Sequence, residues 1–396
     1  MFEHLQIYDR RERRLVGAVD SALRAIRAIA GPRNRSTGAV PRRVLLLRLE
    51  RIGDLLMSLD AIADAVDATA GAKIDLVVGS WNAALAPAIQ GVSSIETLDA
   101  GWLAREGGGL RLPRLLARAR SWRARRYDLA INLEPDIRSN LLVAVSGAAV
   151  KAGFVSGGGG PLLDVALPYD PRMKTSENQR CLVAAALDQT GPRPQRAAAL
   201  ELPAEARRRA GELLREAGTP LVGLHASGGR AVKQWDPQRF ADVASRLVQE
   251  HGATVVLTGT APDRPMVEVV RRALPPAATI DLTGVPDLLD LAAVLERLDV
   301  YITGDTGPMH LAAAVGTPVV AVFGPSDPAR YAPSHPMHRV VRIDLPCAPC
   351  NRIRLPPARC TGVTPDCLRG VDVAAVYDAA VAALAARRSA AGAPFR

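Results

Sequence analysis

Residues 299–324 read DVYITGDTGPMHLAAAVGTPVVAVFG. An apolar run ends at Gly304 and Asp305, and a Thr-Gly-Pro turn follows. An apolar stretch then closes on Gly316, and a second apolar run starts behind Pro318. Short continuous apolar runs bounded by turn residues mark strands buried on both faces, and the stretch between them has helical length. The segment therefore predicts strand, turn, helix and strand, the unit from which a parallel sheet is wound. Asp305, Thr306, Gly307, Pro308 and Met309 fall in the turn and helix start, with His310 in the first helical turn. With Thr306 or Asp305 as cap, these positions read as an ordinary capped turn. The gathering of polar groups where the helix dipole favours an anion points instead to a phosphate or ribose site.

The same rhythm extends in both directions. PLVGLHAS (220–227) and ATVVLTG (253–259) are further strands of the same half, while RRVLLLRL (42–49), KIDLVVG (73–79) and YDLAINL (127–133) repeat the signature upstream. Helical patterns such as DLLMSLDAIADAVDATA (54–70) separate them. The expected fold is α/β, with two doubly wound Rossmann-like domains facing across a cleft and ligands beyond the carboxyl ends of the strands. A Pro- and Gly-bearing stretch at 190–203 marks the boundary between them. The expected divisions are a basic extension over 1–41, a first domain over 42–195, a second over 196–375 that includes a Cys-rich segment at 346–368, and a C-terminal helix and tail over 376–396. The stretch SGGGGP at 156–161 is expected to be a mobile loop that covers a site. No short-period internal repeat is present; the halves share only the strand-helix rhythm.

With 396 residues, 33 of them Gly and 30 Pro, the chain has room for two cores and many turns. Its net charge of +10 predicts attraction to anions: nucleic acid, anionic lipid or a phosphate-bearing substrate. Aromatics make up only 4% and do not interleave with the arginines at 105, 111, 114, 118, 120, 123, 125 and 126, which disfavours a nucleic-acid partner. That arginine stretch reads first as a solvated helix face and second as a surface for a membrane or an anionic acceptor. No apolar run reaches the ~18 residues that span a bilayer. The start, MFEHLQIYDRRERRLVG, lacks a signal-peptide core, so the expected compartment is the cytosol, with peripheral contact at the inner face of the membrane as an option. Residues 10–30 are basic and partly amphipathic and read either as a plain surface helix or as one lying on anionic lipid.

Two further constellations carry chemistry. In LRLERIGDLLMSL (47–59) a strand gives way to a charged turn, and Gly53 and Asp54 open an apolar helix. Asp54 at such a strand end is either a helix N-cap or a general base, with the two readings evenly matched. In LVGLHASGGRAVKQWDPQRF (221–240), His225 ends a strand, a loop with Gly228 and Gly229 follows, and Lys233 precedes a helix started by Asp236 and Pro237. Exposed backbone amides and one lysine suit a diphosphate. Neither the Walker spacing nor G-x-G-x-x-G occurs there, which disfavours a nicotinamide-dependent oxidoreductase.

In order, VLLLRLERIGDLLMSL, HASGGRAVKQW, TGTAPDR and GDTGPMHLAAAVGTPVVAVFGPSDP resemble the glycosyltransferase family 9 heptosyltransferases over roughly residues 42–375. The resemblance implies a GT-B fold, with the acceptor on the first domain and an ADP-sugar, ADP-heptose first, on the second. It implies Asp54 as the base that deprotonates the acceptor hydroxyl and Lys233 as the group that neutralises the leaving diphosphate. By the same similarity His225, Gly228, Gly229, Asp305, Thr306, Gly307, Pro308, Met309 and His310 hold the donor, and Asp263 meets the adenosine ribose. Gly228-Gly229 stands where some members carry hydroxyl residues, so backbone amides replace side-chain contacts to phosphate. The expected reaction is a single inverting displacement with no cofactor required, since no Asp-x-Asp is placed to hold Mg²⁺. The acceptor is a glycan, lipid-linked molecule, protein or small molecule. The alternatives are transfer from another nucleotide-sugar to a natural product or protein, and a nonenzymatic nucleotide- or glycan-binding protein, which would keep the donor loop but not need Asp54. Cys347, Cys350, Cys360 and Cys367, in CAPCNRIRLPPARCTGVTPDC, fit equally a structural Zn or Fe site or four reduced thiols. Cys181 reads as a small buried hydrophobe.

Overall fold

The computed structural model describes residues 5–7, 9–29, 39–104, 108–193, 200–285 and 287–391. Arg105, most of the turn-rich stretch 31–41, residues 194–199 of the expected boundary and the last five residues of the tail lie outside the described residues.

The chain divides into two units, Met1–Ala198 and Ala199–Arg396. The first holds β1 (Arg43–Arg48), β2 (Lys73–Val78), β3 (Ser94–Thr97), β4 (Leu129–Asn132), β5 (Val150–Phe154) and β6 (Val165–Leu167), in the spatial order β3-β2-β1-β4-β5-β6. The second holds β7 (Leu221–His225), β8 (Thr254–Leu257), β9 (Thr279–Asp281), β10 (Val300–Gly304), β11 (Val319–Val322) and β12 (Arg339–Val341), in the order β12-β11-β10-β7-β8-β9. All the pairings are parallel. Each sheet thus reverses direction once, between β1 and β4 and between β7 and β10, and a doubly wound sheet offers its crevice at that reversal.

The central strands read as unbroken apolar runs because helices cover both faces of a parallel sheet. Leu45, Leu47 and Ala130 pack with Leu115, Ala119, Trp122 and Leu142 in the first unit. Val222, Leu224, Val300, Ile302 and Val320 pack with Phe240, Val243, Leu247 and the C-terminal helix Val373–Ala391 in the second. Burying a side chain of this size contributes about 1.5–3 kcal/mol.

The loop at 156–161 differs from expectation. Ser156 and Gly157–Gly159 are buried, and the loop is packed in place. A Cβ on Gly157 would lie 1.9 Å from the Pro135 carbonyl oxygen, and Gly158 and Gly159 sit at φ +91° and +79°. These glycines are present because backbone meets backbone and because the chain turns left-handed there. The cover is the N-terminal helix Arg10–Ile29, whose Asp20 Oδ1 accepts from the Gly159 amide at 2.7 Å and whose Val16 lies against Gly158.

Candidate functional site

In the first unit the polar groups collect at the reversal between β1 and β4. Arg48, the last residue of β1, is buried with its guanidinium turned toward the charged turn. Its Nη1 stands 3.0 Å from Glu50 Oε2 and donates to the Leu133 carbonyl at 3.1 Å; its Nη2 is 3.5 Å from Asp54 Oδ1, and its Nε donates to the Asp54 carbonyl at 3.1 Å. Burial disfavours the charge on Arg48, but Glu50, Asp54 and Glu134 outweigh it and raise its pKa. The Asp54 carboxylate is one third exposed. It is not a helix cap: Arg51 occupies the N-cap of Ile52–Leu56, and Asp54 lies within the first turn. Two residues past β4, Glu134 accepts from the amides of Leu49 and Glu50 and from Ser139 Oγ, and so fixes the β1 turn. Burial pushes the Glu134 carboxyl up against the opposing pull of Arg48 and Ser139. The Glu50 carbonyl in turn accepts from Trp81 Nε1 and Asn82 Nδ2, each at 2.8 Å.

The neighbouring arginines are partly spoken for. Arg118 and Arg125 pair with Glu96 of the edge strand β3 at 2.6 and 3.2 Å, and Arg125 with Asp75 of the adjoining β2 at 2.9 Å.

In the second unit the carboxyl ends of β7, β8, β10 and β11 supply the polar groups. His225 closes β7, and its Nδ1 lies 3.0 Å from the Thr258 carbonyl, which can only accept, so the proton is assigned to Nδ1. Nε2 then accepts from Ser227 Oγ at 3.0 Å. Burial lowers the pKa of His225, which favours the neutral ring. Gly228 is buried and its carbonyl accepts from Gln234 Nε2 at 2.8 Å, while Gly229 is exposed. Lys233 Nζ stands 2.7 Å from Asp305 Oδ2. Burial of Asp305 would raise its carboxyl pKa, but Lys233, Ser326 and His310 overcome that and hold it below the usual range. Asp236 caps the helix Pro237–His251 as expected, accepting from the Gln238 amide at 2.9 Å.

Thr306 caps the helix Gly307–Ala314, bonded through Oγ1 to Thr303 Oγ1 at 3.0 Å, so Asp305 is left to face Lys233. Gly307 and Pro308 form the first helical positions, and His310 is buried in that turn. Met309 is fully buried, and its amide, at 3.4 Å from Thr306 Oγ1, joins the cap. Asp263 follows β8, where its Oδ2 accepts from the amide and hydroxyl of Thr260 at 2.7 and 2.6 Å. Its burial acts to raise the carboxyl pKa, yet the hydroxyl and amide of Thr260 keep it low.

Arg48, Glu50, Glu134, Ser227 and Ser326 enter these sites without having been singled out in the sequence. The signal for the first three is a charged residue placed directly behind a buried parallel strand, the same signal that selects Asp54.

Cys347, Cys350, Cys360 and Cys367 line one cavity of about 200 Å³, together with Arg352 and Arg359. They are spread from an exposed Cys347 to a buried Cys367, whose thiol is pushed up to about 11 by burial and by the other three. Among the described residues no three His, Cys, Asp or Glu side chains come together as a set able to hold a metal ion. The four thiols share that cavity as free cysteines. Cys181 is half-buried in the helix Thr175–Ala186.

Two doubly wound parallel units, each with its polar residues at the sheet reversal, define the GT-B fold of glycosyltransferases. The family model for glycosyltransferase family 9 (heptosyltransferase) matches residues 115–356, and the chain belongs to that family. It is similar to lipopolysaccharide heptosyltransferase 1 of Pseudomonas aeruginosa, at 27% identity over 78% of this chain and 86% of that one. Lipooligosaccharide heptosyltransferase 2 of Haemophilus influenzae is 32% identical over 31% of this chain, which thus spans 37% of that relative's length. The solved Escherichia coli ADP-heptose lps heptosyltransferase II superposes with a TM-score of 0.71 at 21% identity, covering 87% of this chain and 99% of that one.

Proposed function

We propose that the chain is an inverting glycosyltransferase that moves a heptose from an ADP-sugar onto an acceptor hydroxyl, with Asp54 as general base. The observation that carries this reading is the Lys233–Asp305 pair, which sets an ammonium beside the N-terminus of Gly307–Ala314, where the helix dipole and the Gly307 amide favour a diphosphate. The names of the relatives support a heptose donor and a lipopolysaccharide acceptor.

In the proposed reaction the acceptor oxygen gives its proton to the Asp54 carboxylate and forms a bond to the anomeric carbon. The bond from that carbon to the phosphate oxygen breaks, and the nucleoside diphosphate leaves from the opposite face. Lys233 and the amides at the helix start take up the charge that develops on the leaving group. Arg48 holds the Asp54 carboxylate from behind, leaving its exposed side to the hydroxyl. General-base help of this type is worth ~10² to 10⁴ in rate, and preorganised charge on a leaving group adds a comparable factor. Asp263 is assigned to the ribose of the adenosine, and His225, neutral, to the wall of the donor site. A lipid-borne acceptor places the enzyme at the inner face of the membrane.

Incubation with ADP-heptose and a heptose-acceptor lipopolysaccharide core, followed by mass spectrometry, tests the reading. A mass gain of one heptose and selective thermal stabilisation by ADP support it. Stabilisation by NAD in preference to ADP, with no heptose gain, would overturn it.

A further inference from the structure

The N-terminal helix Arg10–Ile29 has two faces with different fates. Val16 and Asp20 are buried against the glycine loop that follows β5. Leu5 is buried ahead of the helix, and Gln6 ties the approach to the Ser156 and Tyr169 carbonyls at 2.8 and 2.6 Å. The opposite face carries Leu15, Val19, Ile26 and Ile29, exposed by 69, 43, 63 and 88%. Together with the exposed Ala22 these residues follow spacings of four and three, so they form one continuous apolar stripe along the helix. Six arginines against two acids lie on the same helix, and Arg10, Arg11 and Arg14 are exposed around the N-terminal end of the stripe.

A soluble surface helix has no reason to expose four large apolar side chains in register, so the face has a partner. Charge chooses between the candidates. A second copy of the helix laid parallel on the stripe would bring Arg11 and Arg14 against their own counterparts, whereas an anionic bilayer offers an acyl boundary for the stripe and phosphates for the arginines. We propose that this helix seats on an anionic lipid surface, with Leu15, Val19, Ile26 and Ile29 at the acyl boundary and Arg10, Arg11 and Arg14 on the headgroup phosphates. The glycine loop lies past the carboxyl end of β5, and Asp54 lies past the carboxyl end of β1. In a parallel sheet these are one end, so the docked helix holds the acceptor end of the first unit toward the membrane. That consequence rests on the transferase reading; the docking does not.

The test is sedimentation of the full chain with phosphatidylcholine vesicles, with and without phosphatidylglycerol, alongside light scattering for oligomeric state and transfer to a detergent-free, delipidated core acceptor. The unaltered chain should partition onto the phosphatidylglycerol vesicles and be released by salt. Leu15→Asp with Ile26→Asp should lower partition by about tenfold or more per residue, and Arg11→Glu with Arg14→Glu by about thirtyfold or more in total. Melting temperature and transfer to the delipidated acceptor should stay unchanged in both variants. Failure of the unaltered chain to bind, or binding by the Leu15/Ile26 variant at the unaltered level, overturns the proposal. So does a dimer that the Leu15/Ile26 variant dissolves without any vesicle binding, since the stripe's occupant is then a second copy. Vesicle binding without sugar transfer leaves the docking in place and removes the transferase reading; transfer without vesicle binding does the reverse.

Discussion

The ammonium of Lys233 lies 2.7 Å from the Asp305 carboxylate, and the two side chains are only 20% and 11% exposed. In the proposed reaction this lysine meets the diphosphate, and it carries a structural duty as well, because the buried aspartate depends on it. Lys233→Met should therefore act twice. Turnover should fall by about 10²- to 10³-fold through loss of charge stabilisation, and stability by about 3 kcal/mol because Asp305 is left buried without its partner. Steady-state kinetics and urea denaturation of the same preparation separate the two effects. Intact stability in Lys233→Met would show that the pair is not what holds Asp305.

Asp305 and His225 are two of the shifted groups that make the second unit sensitive to acid. The native pKa of Asp305 is depressed, chiefly against burial by Lys233, so its stabilising effect is full above the unfolded value of about 3.9 and is lost as pH falls through the native one. Burial depresses the native pKa of His225, so its contribution is full above the unfolded value of about 6.5 and declines as pH falls below it. Denaturation of the chain followed from pH 8 to pH 3 should show stability falling first below about pH 6.5. His225→Gln should flatten that first decline and leave the lower one in place.

Arg48 ties Glu50, Asp54 and the Leu133 carbonyl together from inside the sheet. Arg48→Met should cost about 3 kcal/mol, because it removes the charge that faces the buried Glu134. Arg48→Lys should keep much of the stability yet lose turnover, since a point charge cannot span the same partners. Circular dichroism melts and transfer rates for both variants give the comparison, and equal loss of both quantities in Arg48→Lys would speak against a positioning role.

Gly157→Ala sets a Cβ 1.9 Å from a backbone oxygen that has nowhere to move. It should destabilise the first unit by about 1–3 kcal/mol. Gly191→Ala, where nothing lies within 4 Å, should leave the melting temperature unchanged.

Much of this fold is legible in the sequence because buried parallel strands such as β1, β8 and β11 announce themselves as unbroken apolar runs between turn residues. The edge strands β3, β6, β9 and β12 do not, since three or four residues such as Thr279–Asp281 are too few to show a period. In the candidate sites, the residues that follow apolar strands were visible as charges out of place, among them Asp54, Lys233 and Asp305. Ser326 was not, because its importance comes from which strand ends the sheet order brings together. The glycine loop at 156–161 misleads for a related reason: glycine serves mobility and close packing equally well, and only the neighbours Pro135, Val16 and Asp20 decide between them.

The most direct test is Asp54→Asn, which keeps the size of the side chain and removes its ability to take a proton. Turnover from ADP-heptose should fall by ~10² to 10⁴, while thermal stabilisation by ADP stays at the level of the unaltered protein. Turnover close to that of the unaltered protein, or lost ADP stabilisation with turnover retained, would contradict Asp54 as the base.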